Sequence, residues 1–401
     1  MFRLICVSLL LWRCATSSLE EMEKKMNDSG IDIVKLHNFL KKESAEVEEE
    51  FGTKQMQKEI AELRENYKKH LIPGQKDDNI ETELEINGDA SNDMFEGDIE
   101  LTPEQWKIAF DMDPNNPLQR RQALANEVKL WKPIGAPIIP YGFVDGFPAD
   151  QKPLIKSAID FWESITCIKF RPMTATDTNV VMMNHDSKVC SSSVGIAGGK
   201  QNVNLGPGCM TFTIAAHEIS HAFGTLHVQS RSDRDEYVRI DKDNIKEGKE
   251  HNFAKEPEGY GALSNYGIPY EFGSMQHYHE SAFQKNGSTT PTIYAQKKYL
   301  DWQFSMEGPR ATFYDTLLVN SIYKCTDKCK NKIVCKNNGV QHGSDCTKCF
   351  CPRGWSGTNC EKRPSDAETI KIDKDQVIMV QIPAGTDGVF REKLYIFEVA
   401  Y

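Results

Sequence analysis

Hydrophobic positions along the chain repeat with different periods in different segments. The first is a mostly apolar run over residues 4–12, preceded by Met1-Phe2-Arg3 and followed by Ala15, Thr16, Ser17 and Ser18. A basic start, a short apolar core and a small-residue exit are the layout of a secretory signal, expected over residues 1–18. The run is too short to anchor in a bilayer, and no later stretch is long and apolar enough to be a membrane helix. Between residues 19 and 70, Ile33, Leu36 and Leu40, then Ile60, Leu63 and Tyr67, recur at helical spacing among Glu and Lys. This predicts charged amphipathic helix with a modest docking stripe. Residues 74–93 are polar and acidic and read as a linker.

Further on, Ile155, Ala158, Ile159 and Trp162 share one face of a helix predicted over 149–165. Val180 to Met183 and Val203 to Leu205 read as short strands. The chain is Cys-dense from Cys325 to Cys360. It ends in a Cys-free tail, 362–401, with strand-like stretches at 370–372, 377–382 and 394–399.

Composition narrows the class. The 401 residues accommodate two or three folded units, and the formal net charge of -10 argues against a nucleic-acid partner, which would need surplus Lys and Arg. Of the 12 Cys, Cys6 and Cys14 lie in the signal. The even remainder in an exported chain suggests disulfides. Asn27 and Asn286 begin glycosylation sequons. Arg120-Arg121 is a dibasic pair ahead of a composition shift, a candidate processing site that would leave Gln122 as a new amino terminus. The protein is therefore expected to be secreted, without a membrane anchor.

The chemistry concentrates at His217-Glu218-Ile219-Ser220-His221-Ala222-Phe223-Gly224-Thr225-Leu226-His227. On a helix, residues four apart face one side, so His217 and His221 can reach one ion. Imidazole nitrogen suits Zn²⁺ at about 2.0–2.1 Å. Glu218 stands beside them, placed to take a proton from an activated water. Gly224 tolerates the backbone conformation that stops a helix, after which the chain can bring His227 in as third ligand. The His-Glu-x-x-His core alone arises by chance in on the order of one chain in a hundred of this length, and the added Gly and His make it far rarer. The extended pattern is that of the metzincins.

The residues after His227, Gln229-x-Arg231-x-Asp233-Arg234-Asp235-x-Tyr237-Val238, resemble the signature of the astacin metalloendopeptidases. The likeness runs from about residue 130 to 325. It includes Gly208-Cys209, Tyr323-Lys324-Cys325, and Ser274-Met275-Gln276-His277-Tyr278, which resembles the family's Met-turn segment. The resemblance implies an α+β fold with two subdomains and one zinc in the cleft between them. It implies that His217, His221 and His227 bind the metal and that Glu218 is the general base. Tyr278 would be a switching ligand that later hydrogen-bonds the tetrahedral oxyanion. Cys167 would pair with Cys325, and Cys190 with Cys209. Phe95-Glu96-Gly97-Asp98 resembles the family's propeptide motif, which makes Asp98 the anionic plug of a latent form. Cys349 to Cys360 resembles the end of an EGF-like module, with Cys351 paired to Cys360 and the pairing of Cys329, Cys335, Cys346 and Cys349 left open.

The domains expected are a signal over 1–18, a propeptide over 19–121, a protease domain over 122–325, an EGF-like module over 326–361 and a tail of unknown fold over 362–401. The function expected is a zymogen-type endopeptidase acting on extracellular proteins or peptides after an activating protease removes the propeptide. The module would serve as a protein-binding surface or a spacer. Two departures keep an alternative open. Val228 stands where the family usually has Glu, and Gln276 where it has the Met of the turn. A zinc-binding pseudoprotease with a binding or regulatory role would tolerate both.

Overall fold

The computed structural model describes residues 82–102, 105, 129–255, 265–365, 367–372 and 395–399. All fall within one unit, Asp78–Tyr401. The signal, the helical region up to residue 70, Asn27, Arg121, Gln122 and the strand expected over 377–382 lie outside the described residues.

The polar stretch read as a linker is partly structured. Helix α1 (Glu83–Asn87) starts at a capping box, in which Thr82 and Glu85 satisfy each other's backbone N–H groups. A 3-10 turn (Gly88–Asp93) follows. Spacing did not reveal this helix because a five-residue element has no repeat to show. Its buried Leu84 is held by packing rather than by propensity.

Strands β1 (Ile99–Glu100), β2 (Ile138–Phe143), β3 (Lys169–Pro172), β4 (Val180–Asn184), β5 (Cys190–Ser193) and β6 (Lys200–Leu205) form one sheet in the order β1-β5-β6-β4-β2-β3. β5 runs antiparallel to β6, β1 runs parallel to β5, and the remaining neighbours are parallel. β4 is central, and Val180 to Met183 are all buried. A strand covered on both faces reads as a continuous apolar run, which is how this segment reads.

Against the sheet lie α2 (Lys152–Ile165) and α3 (Phe212–Ala222). The stripe Ile155, Ala158, Ile159 and Trp162 is buried as its spacing requires. The Trp162 indole N–H donates to the carbonyl of Ala216 on α3 at 2.9 Å, so a large ring is buried without an orphaned donor. The last carbonyls of α3, which a helix cannot satisfy itself, accept from elsewhere. Trp131 donates to Ala222 O, Tyr323 to Phe223 O, and the Gly195 and Gly224 amides to His221 O. The end of this helix is thus fixed from three directions.

A second apolar cluster gathers Val228, Val238, Ile245, Phe253, Tyr270, Phe272, Tyr278 and Met306 around the antiparallel pair β7 (Val238–Ile240) and β8 (Ile293–Ala295). Helix α4 (Phe313–Ile322) returns to the first core, and Cys325 beyond it bonds to Cys167. Cys190 bonds to Cys209. The following segment is cross-linked by Cys329–Cys346, Cys335–Cys349 and Cys351–Cys360 around the short pair β9 (Val340–Gln341) and β10 (Cys349–Phe350). Phe350 stacks on Phe313 of α4, with ring centroids 5.3 Å apart. β11 (Glu368–Ile372) and β12 (Tyr395–Val399) pair in parallel. No helix among the described residues is long and apolar enough to cross a membrane.

Candidate metal centre

α3 is capped by Thr211, whose hydroxyl accepts from the amide of Ile214. The helix carries His217 and His221 on one face. Their Nε2 atoms lie 3.0 Å apart. Gly224, at φ 102°, ends the helix in a conformation that a side chain would resist. The chain then returns His227 to the same point. With Asp98, the three imidazoles offer ligand atoms that all lie within 4.8 Å of one another, and all four residues are buried.

The outer ring nitrogens decide what the inner ones can do. His217 Nδ1 lies 2.6 Å from Met275 O, and His221 Nδ1 lies 2.9 Å from Thr225 O. A carbonyl only accepts, so each Nδ1 carries the proton and donates. His227 Nδ1 lies 2.9 Å from a carboxylate oxygen of Glu96 and donates likewise. In its neutral form each ring turns an Nε2 lone pair inward, an orientation that metal-binding histidines take from such outer partners.

Asp98 faces this triad from the turn before β1. Its Oδ2 lies 3.2 Å from His227 Nε2 and 3.4 Å from His217 Nε2, and its Oδ1 lies 3.8 Å from His221 Nε2. Neither Asp98 oxygen, nor His227 Nε2, has a hydrogen-bond partner among the described residues, although all are buried. Acceptors crowded against acceptors in a dry site call for a cation between them. Three nitrogens and one carboxylate oxygen are a donor set that suits tetrahedral Zn²⁺. The residues fit the metal.

The electrostatics show protons competing for the same position. Burial disfavours a charged imidazole, yet Glu83 and Asp98 outweigh it at His217, and Asp98 and Glu96 at His227, raising both to about 9. At His221 burial wins and lowers it to about 3. Burial would raise Asp98, but the histidines around it, His227 foremost, hold it well below the usual carboxylate range. The cluster draws positive charge to itself. Glu218, fully buried with both oxygens unpartnered among the described residues, is pushed well above the carboxylate range by burial and then by the charge of Asp98.

Tyr278 is buried, with its ring 4.9 Å from that of His227. Its hydroxyl donates to the backbone carbonyl of Glu96 at 2.5 Å. Gln276 donates from Nε2 to His217 O and to Ser220 Oγ, tying the Met-turn segment to α3. Val228 is buried in the second apolar cluster, and its amide donates to Gln276 O.

Sequence reasoning singled out Asp98 but gave Glu96 and Asn87 no role. Asn87 holds the loop in place, donating to Gly97 O and Cys190 O and accepting from the Cys190 amide. Gly97 sits at φ 82°, where an added Cβ would come within 2.8 Å of Leu84 and Phe283 side chains. Glu96 beside it takes φ 49°, unusual for a residue with a side chain. A Glu directly before Gly-Asp was the one available signal. Asn286 lies exposed in a loop.

The model for the astacin family of peptidases matches residues 107–324. Zinc metalloproteinase nas-28 of Caenorhabditis elegans is 33% identical over 284 residues, which cover 70% of this chain and 56% of that protein. Protein SpAN of Strongylocentrotus purpuratus is 35% identical over 297 residues, covering 69% and 46%. Among solved structures, the hatching enzyme zinc-protease HCE-1 of Oryzias latipes aligns with a TM-score of 0.44 at 28% identity, over 49% of this chain and 94% of that one. The chain spans about half the length of the curated relatives it matches. With the family's model matched over more than half its length, the chain belongs to the astacin family of zinc metallopeptidases.

Proposed function

We propose that this protein is a secreted, zinc-dependent endopeptidase, made as a zymogen and activated by removal of residues 19–121. The observation that carries the reading is the convergence of three Nε2 lone pairs, each set by an outer acceptor, on the carboxylate of Asp98. His217, His221 and His227 would hold one Zn²⁺. When bound, the ion would polarise the scissile carbonyl and acidify the attacking water. Glu218 takes the water's proton and passes it to the leaving amine. Tyr278, once released from Glu96 O, donates its hydroxyl to the developing oxyanion. In the precursor, Asp98 fills the position that water and substrate need. An activating protease would cut after Arg121 and leave Gln122 as the mature terminus.

Ten paired cysteines support an oxidising, extracellular setting. The segment 326–361 is read as an EGF-like module, offering a protein contact surface or a spacer. Its stacking of Phe350 on Phe313 supports a fixed attachment to the protease domain. Asn286, exposed in its loop, is open to glycosylation. Substrates are proteins or peptides.

The test is casein turnover by the precursor cleaved after Arg121, with and without chelator, beside Glu218→Gln. Chelator-sensitive turnover absent from Glu218→Gln is expected. Processed wild type that binds zinc but is no faster than Glu218→Gln would leave the binding-protein alternative standing.

A further inference from the structure

One polar row on the sheet ends at the edge beside the metal centre and is not used by the reaction. β1 pairs with the outer edge of β5, Glu100 standing opposite Ser193. Ser191 of β5 stands opposite Asn204 of β6, and Asn204 opposite Asn184 of β4. Strand alternation puts Ser191 and Ser193 on one face. Along the row every hydrogen bond points the same way. The Asp186 amide donates to Asn184 Oδ1 at 3.0 Å, and Asn184 Nδ2 donates to Asn204 Oδ1 at 2.7 Å. Asn204 Nδ2 then donates to Ser191 Oγ at 3.0 Å and to Glu100 Oε1 at 2.6 Å. Ser191 Oγ donates to the same Glu100 oxygen at 2.8 Å.

The direction of that relay matters. Asn204 spends its acceptor on Asn184, so its N–H is committed outward, and Ser191 accepts from Asn204, so its O–H is committed outward too. Both side chains are buried, at 5% and 0% exposure. Chains of aligned hydrogen bonds strengthen one another. The row therefore ends in two preset donors converging on one acceptor position, two residues along the strand from Asp98 at the metal centre. In the precursor that acceptor is Glu100.

We infer that Ser191 and Asn204 form a substrate subsite selecting a carboxylate or amide side chain, Glu or Gln, which Glu100 mimics until residues 82–102 leave. The inference rests on the protease reading above. A peptide adding to the bared edge of β5 places alternate side chains on the face of Ser191, two residues from the one at the metal. An acceptor there restores the hydrogen bonds that Glu100 made. An apolar side chain would leave two buried donors unpaired, the circumstance in which a polar site rejects a ligand most strongly.

The test uses the processed protein and two readouts. The first is binding of a synthetic peptide with the sequence of residues 94–102, against the same peptide with Glu100→Ala. The second is cleavage of fluorogenic peptides carrying Glu, Gln, Lys or Ala at each position within three residues of the scissile bond. Wild type should bind the parent peptide roughly tenfold more tightly than the Ala peptide, the scale of one or two charge-assisted hydrogen bonds. It should prefer Glu or Gln at one flanking position by a similar factor. Ser191→Ala should weaken both preferences. Asn204→Asp keeps the acceptor for Asn184 and adds like charge, so it should turn the Glu preference toward Lys. Equal binding of the two peptides, or preferences unchanged in Asn204→Asp, would overturn the subsite. Glu100-dependent binding without any substrate preference would reduce it to a latency contact and overturn it as well. If no peptide is cleaved at all, the protease reading fails, while the binding comparison still judges the pocket.

Discussion

Glu96 Oε2 lies 2.9 Å from Nδ1 of His227, and the backbone carbonyl of the same glutamate accepts the hydroxyl of Tyr278. One residue of the loop before β1 thus fixes the tautomer of the third histidine and holds the tyrosine. Outer partners of this kind typically set metal affinity by about 10- to 100-fold. Glu96→Ala in the uncleaved precursor should therefore lower zinc affinity by about that range, whereas the processed protein carrying the same change should be unaffected, having lost the loop. Zinc content after dialysis against graded chelator measures both. Equal retention in mutant and wild-type precursor would remove Glu96 from this role.

On the proposed zymogen reading, Asp98 acts on the same site by occupation. In the precursor, Asp98→Ala takes away the anionic group facing His217 and His227 and opens the position to water. Basal turnover by the uncleaved chain should rise at least tenfold, while Asp98→Asn, which keeps an oxygen ligand without the charge, should fall between. Peptide hydrolysis by precursors protected from processing with Arg121→Ala reads this directly. Unchanged activity in Asp98→Ala would show that latency has another source.

How much of this was legible in the sequence varies with the physics behind each part. The stripe on α2 was legible because 14 residues repeat often enough for a period to emerge. The run at β4 was legible because a doubly covered strand is apolar throughout. The three clustered histidines follow from spacing on a helix plus a glycine stop. What sets their tautomers did not, because Met275 O and Thr225 O are backbone acceptors that any residue would supply. The role of Glu96 needs a left-handed backbone at φ 49° and a contact 131 positions away. The row from Asn184 to Glu100 crosses four strands and exists only once their register is known. Two cross-links of the small segment, Cys329–Cys346 and Cys335–Cys349, were likewise undetermined until the chain path was seen.

Glu218 and Tyr278 should separate in mutant kinetics. Glu218→Gln keeps the volume in a fully buried position but cannot take a proton. Loss of a general base costs about 10²–10⁴-fold. Tyr278→Phe removes one oxyanion donor, which costs on the order of 10²–10³-fold, and should do so in kcat rather than KM. Both variants, processed, should retain zinc. A change confined to KM in Tyr278→Phe would assign the tyrosine to substrate binding.

His342 gives a pH dependence far from the metal. Its Nδ1 accepts from the Ser344 amide, so the folded ring is neutral, and Ser344 Oγ reaches across to Ser164 O on α2. Burial lowers the His342 pKa below 6.5. The folded state therefore binds its proton later than the unfolded state does as pH falls. Its contribution is constant above about pH 6.5 and turns destabilising below that value. Protection factors for amide exchange over residues 329–360, that is, rates corrected for the intrinsic pH dependence, should fall between pH 7.5 and 5, and His342→Gln should flatten that change. An identical pH profile in the variant would place the titrating group elsewhere.

Gln276, where the resemblance would place Met, offers a measure of what that departure costs. Its Nε2 makes two hydrogen bonds, to His217 O and Ser220 Oγ, but its Oε1 is buried without a partner among the described residues. Gln276→Met would lose two bonds worth about 1 kcal/mol each and relieve one unpaired acceptor costing about 1–3 kcal/mol. His217 O and Ser220 Oγ keep each other, since Ser220 Oγ donates to His217 O at 2.8 Å. The terms nearly cancel, so Gln276→Met should change unfolding free energy by no more than about 1 kcal/mol. Gln276→Ala, which loses the bonds and leaves a cavity under α3, should cost about 2 kcal/mol or more. Chemical denaturation of the processed protein with zinc in excess compares the two. A Met variant destabilised as much as the Ala variant would mean that the amide, rather than the volume it fills, holds the floor of the site.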